Sequence, residues 1–353
     1  MNEPGQDVRG TTVTVAAPAT TAVRMTWMDV LRGLAILAVV LFHAGTLLRF
    51  AQLEVPEGLR AFNRAVAPFR IPMLVLLSGM LLPRSIAKGP GPYVVGKARA
   101  ILWPFLLWSS VMVAVKWLEY GHPSLKWLLP NIFLAGGTYL WYLLFLLVFY
   151  VVALPLRRVP LLPVAVVFLA LAEVAVDDSK WGERAAFLFA LFLIGWWVAD
   201  HPAVVERGLS SSRWPFAALG VGVLSYALGD MSGYGPRAIA GTLSGVYLLA
   251  WGASRVSRTA ALRPLRFVGR NSVVFYCVHF PLVVVLMTAA GWLRISSSAL
   301  LMAVAFVASV VAGAVLSLLR PRSSFVAGLF VAPAWVARAV TRIVPGRWTV
   351  RQL

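Results

Sequence analysis

The chain has 353 residues, of which 60% are hydrophobic and 13% charged, with a mean hydropathy of +0.82. A water-exposed surface takes about twice that charged fraction, so an ordinary soluble domain is excluded and a polytopic membrane protein is implied. The formal net charge of +19 would point to nucleic acid in a soluble chain, but here the basic residues are sorted by membrane side, and nucleic acid is not expected as a partner.

Residues 1–24 are rich in Thr, Ala, Pro and Gly and read as a disordered cytoplasmic tail. Apolar runs of membrane length follow near residues 30–48, 68–83, 100–117, 139–154, 160–176, 185–199, 214–229, 237–254, 271–290 and 298–319. The expected fold is an all-α, polytopic membrane helix bundle of about ten transmembrane helices, with a membrane domain at 25–320 and a cytoplasmic amphipathic tail at 321–353. If the first 28 residues are inside, 22 of the 32 Lys and Arg fall on the inner side, which places both termini in the cytoplasm. The expected location is a cell membrane, multi-pass, either a bacterial inner membrane or a plasma membrane. The first span lacks a convincing small-x-small cleavage site and is expected to be retained. The C-terminal tail carries Phe325, Phe330, Trp335 and Ile343 with Arg338, Arg342 and Arg347, a pattern suited to lying along the inner leaflet.

The first span carries Asp29, Arg32 and His43. An ionisable group in hydrocarbon must repay a desolvation cost of several kcal/mol, so each is a functional candidate. At about 100° and 1.5 Å per residue, the step from Arg32 to His43 returns to nearly the same helix face about 16 Å further along. Asp29 stands within i,i+3 reach of Arg32. For Asp29 and Arg32 a second reading is open, that of charges at the cytoplasmic surface of a signal anchor. His43 is too deep for it.

Arg70 opens the second span from outside, where it either holds an anionic or hydroxyl-rich ligand or snorkels to the interface. Ser78-Gly79 at the inner end of that span reads as a packing point or as a nucleophile. Lys97 and Arg99 precede Pro104, which can kink the third span and open its carbonyls. Arg255, Arg258, Arg263, Arg266 and Arg270 form a basic loop suited to a phosphate-rich ligand or to anionic membrane lipids, and Asn271 and Ser272 can cap the helix that follows. His279 in the ninth span is either a structural histidine bonded to a carbonyl or a base. His122 and His201 lie beside prolines without ligand-spaced companions, so no metal site is expected, and the single Cys277 reads as a small buried hydrophobe. A multi-span transporter or exporter of a lipid-linked or small-molecule substrate, and a non-catalytic scaffold, remain as rival classes to an enzyme.

Taken in order, these residues resemble the membrane-bound acyltransferase-3 family, which includes bacterial O-acetyltransferases of surface polysaccharides, peptidoglycan and macrolide antibiotics. The resemblance runs from about Trp27 to Arg320. It rests on Arg32 followed by ten residues and His43, on Pro72 to Ser78-Gly79, on Arg99 to Pro104 with Phe105 and Trp108, on Leu140-Trp141-Tyr142-Leu143, and on Gly269-Arg270-Asn271-Ser272 leading through Tyr276 to His279. It implies a membrane O-acyltransferase that moves an acetyl or other short acyl group from acyl-coenzyme A to a hydroxyl of a cell-surface glycan, a glycolipid or a glycosylated small molecule. Acyl-coenzyme A would be a co-substrate, acetyl-coenzyme A in the simplest case, and no cofactor would be held permanently. Under this resemblance His43 is the general base, Arg32 positions the donor or the base, and Asp29 orients Arg32. Arg99, Arg266 and Arg270 are the expected coenzyme contacts, and Arg70, Ser78 and His279 the expected acceptor contacts.

Overall fold

The computed structural model describes residues 25–120, 125–133, 139–174, 181–229, 234–333 and 335–336. The expected N-terminal tail, His122 and the tail beyond 336 lie outside the described residues. Among the described residues the regular structure is entirely helical, and each of the ten apolar runs forms a helix. We label these α1 Thr26–Thr46, α2 Glu57–Met80, α3 Trp103–Tyr120, α4 Trp141–Val152, α5 Leu161–Val174, α6 Trp181–Asp200, α7 Trp214–Ala227, α8 Ile239–Val256, α9 Ser272–Trp292 and α10 Ser298–Leu319.

Length and composition qualify five stretches as candidate membrane spans, at Thr26–Ala51, Pro90–Trp117, Trp181–Asp200, Ser272–Trp292 and Ser298–Leu319. At 1.5 Å per residue a helix needs roughly 20 residues to cross the hydrocarbon layer. The apolar helices α4, α5 and α7 have only 10–17 residues and fall short of that length. The protein is a membrane protein, and among the described residues five helices meet the criterion for a span where ten were expected.

α1 occupies the centre, packed on α2, α8, α9, α10 and a short helix at Arg263–Arg270. Glycine makes the closest of these contacts possible. A Cβ on Gly33 would overlap the carbonyl oxygen of Leu265, and one on Gly269 would overlap that of Asp29, so the short helix lies backbone against backbone on the first half of α1. The hydroxyls of Thr26 and Ser257 meet at 2.7 Å at the same end. α2 and α6 use the same device twice, with Gly79 against the Phe192 carbonyl and Gly195 against the Leu76 carbonyl.

Prolines shape two further helices. A π-helical turn at Ala98–Leu102 immediately precedes Pro104, a widened turn of the kind that accommodates a missing backbone donor. In α9, Pro281 lacks the N–H that would have bonded the carbonyl of Cys277, and the Tyr139 hydroxyl donates to that carbonyl instead. Cys277 itself is a fully buried free thiol.

One expectation changes at a helix end. Asn271 does not cap α9 with its side chain; its amide donates to the Phe267 carbonyl at 2.9 Å and so closes the preceding short helix. Where two helices meet at one residue, the orphan carbonyls of the first compete with the orphan N–H groups of the second, and an amide NH2 serves the carbonyls. The described start of the C-terminal tail is docked on the bundle. Trp103 and Trp108 donate their indole N–H groups to the carbonyls of Gly328 and Leu329 at 2.7 and 3.0 Å, and Phe330 is buried in a stack on Trp108.

Candidate active site

α1 delivers Asp29 and Arg32 to one end of the bundle and His43 to the other, as 3.6-residue periodicity requires. At the first end, the Asp29 carboxylate is buried and accepts from the Arg270 Nε at 3.1 Å, across 241 residues of sequence. The close approach of Gly269 to the Asp29 backbone brings Arg270 there. Arg32 donates to the Leu77 carbonyl at 3.2 Å, a cation placed on the last turn of α2 where the helix dipole is negative. Tyr142 and Tyr150 lie within electrostatic range of Arg32, and the Tyr150 hydroxyl donates to the neighbouring Ser78 carbonyl at 3.3 Å. The Ser78 hydroxyl donates back to the Leu74 carbonyl at 2.7 Å, and Gly79 meets α6 directly. These contacts pack Ser78-Gly79 against α4 and α6.

The basic loop divides by role. Arg266 donates to the carbonyls of Ser257 and Thr259 and closes the turn before the short helix, and Arg255 donates to those of Leu209 and Trp251 at 3.1 and 2.9 Å and lies 3.6 Å over the Trp251 ring, whereas Arg258 and Arg263 are exposed and Arg270, also exposed, holds Asp29. Arg99 stands in the π-helical turn, and its carbonyl accepts from the Ala332 N–H of the docked tail. Lys97 in the preceding turn donates to the Ser85 hydroxyl at 3.2 Å and lies 3.5 Å over the Tyr150 ring.

At the other end, His43 from α1 and His279 from α9 form a pair, with Nδ1 of His43 and Nε2 of His279 3.1 Å apart. Each ring is also tied to its own helix. Nδ1 of His43 lies 3.0 Å from the Val39 carbonyl, and Nδ1 of His279 lies 3.1 Å from the Phe275 carbonyl. A carbonyl only accepts, so Nδ1 of each neutral ring carries its hydrogen. In that tautomer the single Nδ1 hydrogen of His43 is shared between the Val39 carbonyl and Nε2 of His279, and Nε2 of His43 carries a lone pair. His279 is completely buried, while His43 is only half-buried and is the accessible member.

Aromatic rings enclose the pair. Phe42 and Phe280 both contact His43 edge-on at 5.0 Å, Tyr139 meets His279 edge-on at 5.4 Å, and Tyr139 stacks on Phe280 at 4.6 Å. Tyr276 donates to the Tyr139 carbonyl and bridges the two ends, with its ring 5.8 Å from His279 and 5.5 Å from Tyr142 beside Arg32. Arg70 is buried over the Phe42 ring at 4.1 Å, with a long 3.4 Å contact to Asn63, and acts electrostatically on His43. Outside the apolar part of α2, Glu57 is paired with Arg60 and Arg64, and hydrogen bonds from both hold its carboxyl below the usual carboxylate range.

The structure thus gathers His43, His279 and Arg70 at one end and Asp29, Arg32, Ser78 and Arg270 at the other. The sequence had offered His43 and His279 separately, and Tyr139 and Tyr150 had not been singled out. Tyr139 directly precedes the Leu140-Trp141-Tyr142-Leu143 run, and Pro281 signals that the Cys277 carbonyl needs an outside donor. Among the described residues no group of three His, Cys, Asp or Glu side chains is placed to hold a metal ion.

No curated protein and no solved structure matches this chain. A family model described as an acyltransferase domain matches residues 25–319, from the first residue before α1 to the last of α10. That span contains both ends of the site, and the chain belongs to the acyltransferase-3 family of membrane acyltransferases.

Proposed function

We propose that this acyltransferase moves an acetyl or other short acyl group from acyl-coenzyme A to a hydroxyl of a sugar-containing acceptor, with His43 as general base. The observation that supports the reading is the His43–His279 pair, whose contacts fit the tautomer with Nε2 of His43 unprotonated on the accessible ring. Imidazole is the side chain suited to proton transfer near neutral pH. In the proposed reaction Nε2 of His43 takes the acceptor's hydroxyl proton as its oxygen attacks the thioester carbonyl. The carbon–sulfur bond then breaks, and the thiolate of the coenzyme recovers that proton from the imidazolium. Arg32 is cationic and adjoins Tyr142 and Tyr150, a setting suited to the donor's polar arm.

Basic residues at the Asp29 end favour that end as cytoplasmic, in a cell membrane. Coenzyme phosphates would meet Arg99, Arg258, Arg263 and Arg270; Arg255 and Arg266, tied to backbone carbonyls, would hold the loop in shape. Acceptor would enter from the His43 end past Arg70. His43→Ala is expected to abolish transfer with membrane insertion intact, and substantial remaining transfer would refute the base assignment. The arrangement is probed in sealed, oriented vesicles, where acyl-coenzyme A on the Asp29 side is expected to acylate an impermeant acceptor supplied only on the His43 side.

A further inference from the structure

Beyond Arg70, the His43 end carries a second cation that the proposed chemistry does not use. Arg184, in the first turn of α6, lies 4.9 Å from the Trp141 ring, 4.8 Å from the Tyr234 ring and 5.7 Å from the Trp181 ring. Trp141 contacts Trp181 and Tyr234 edge-on, each at 6.3 Å, so three aromatic side chains from α4, α6 and the segment before α8 surround one guanidinium. Among the described residues no carboxylate or carbonyl accepts a hydrogen bond from it, and its Nε is buried without a partner. Tyr234 stands within electrostatic range of both Arg184 and Arg70. Arg70 is equally without a carboxylate among the described residues, its one polar contact being the long one to Asn63.

Two arginines flanking one tyrosine repel each other, and removing them from water has a cost that ring faces offset only in part. Ring faces hold a guanidinium but accept none of its in-plane hydrogen bonds, whose fork geometry matches the two oxygens of a carboxylate or phosphate. Trp141, Trp181, Tyr234 and Arg184 are all half-buried and therefore reachable. Flat aromatic surfaces also suit the apolar face of a sugar ring. From Arg70 the path continues across the Phe42 ring to His43, in contacts of 4.1 and 5.0 Å.

We infer that Arg184 and Arg70, with Trp141, Trp181 and Tyr234, form the acceptor-binding site and select a sugar bearing an acidic group, its anion on the arginines and its hydroxyl presented to His43. This deepens the reading of the His43 end as the acceptor side and rests on it. The acidic group is a carboxylate of the sugar itself or a phosphate linked to it, and the two are separated by experiment.

The test is equilibrium binding to the purified full-length protein in lipid nanodiscs without acyl donor, so that it does not depend on turnover. Trigalacturonate is compared with its carboxyl-reduced trisaccharide, and glucose 1-phosphate with glucose. In at least one pair the acidic member is expected to bind at least about tenfold more tightly, as loss of a charge-assisted hydrogen bond implies. Arg184→Gln is expected to erase that preference and Arg184→Lys to keep part of it, with unfolding temperatures confirming that both variants fold. The pair that shows the preference identifies the acidic group. Equal binding within both pairs, or a preference that survives Arg184→Gln, would overturn the inference. Binding that follows it while transfer is absent would refute only the catalytic reading of His43.

Discussion

Tyr139 allows the energetics of the site to be tested without touching its reactive atoms. Tyr139→Phe keeps the ring stacked on Phe280 at 4.6 Å and removes only the hydroxyl that donates to the Cys277 carbonyl. Tyr139 is 4% exposed and Cys277 0%, so water cannot replace that donor. An unsatisfied buried carbonyl costs about 1–3 kcal/mol, and the substitution is expected to destabilise by that amount. Pro281→Ala supplies a backbone N–H at the position from which Cys277 would ordinarily accept. In the Tyr139→Phe background it therefore restores a donor, and the double variant should be more stable than the sum of single effects predicts by about 1–3 kcal/mol. All four proteins are compared by equilibrium unfolding in mixed micelles, followed by circular dichroism. Effects that add within about 0.5 kcal/mol would refute the claim that the tyrosine stands in for the missing proline donor.

Two further outcomes follow from the geometry. His279→Phe preserves an aromatic ring but removes one of the two acceptors around the His43 Nδ1 hydrogen; kcat is expected to fall about tenfold with KM for the donor little changed, and steady-state kinetics showing an unaltered kcat would exclude His279 as a positioning residue. Gly269→Ala forces a methyl group against the Asp29 carbonyl and should destabilise by about 1–3 kcal/mol, whereas Gly252→Ala, with open space around it, should be neutral or stabilise by roughly 0.5–1 kcal/mol; unfolding of the two variants in the same micelles compares them directly.

Much of this was legible in the sequence, because apolar runs and the residues interrupting them are local properties. Each of the ten runs is a helix, and Arg32 and His43 belong to one element as their spacing implied. Their partners were not legible. α9 is apolar nearly all round, so no amphipathic stripe fixes its rotation, and nothing local turns His279 toward a histidine 236 residues away. Arg32 and Arg270 were both chemically suited to Asp29, and the backbone contact of Gly269 brought Arg270 to it. The aromatic group around Arg184 escaped notice for a similar reason. Trp141, Trp181, Arg184 and Tyr234 come from three separate segments, and each alone is an ordinary residue at a helix end.

The histidine pair also acts as a gauge of helix register. Both rings are tethered to carbonyls four residues earlier on their own helices, so neither can follow the other if α1 and α9 slide. A shift of half a turn, about 2.7 Å, would either part the 3.1 Å contact or drive the rings together. That register is set at the far end of α1, where Gly33 and Gly269 seat the short helix that leads into α9. A methyl group added there works through a lever about ten residues long, so the contact between the two histidines is answerable to two glycines at the opposite end of their helices.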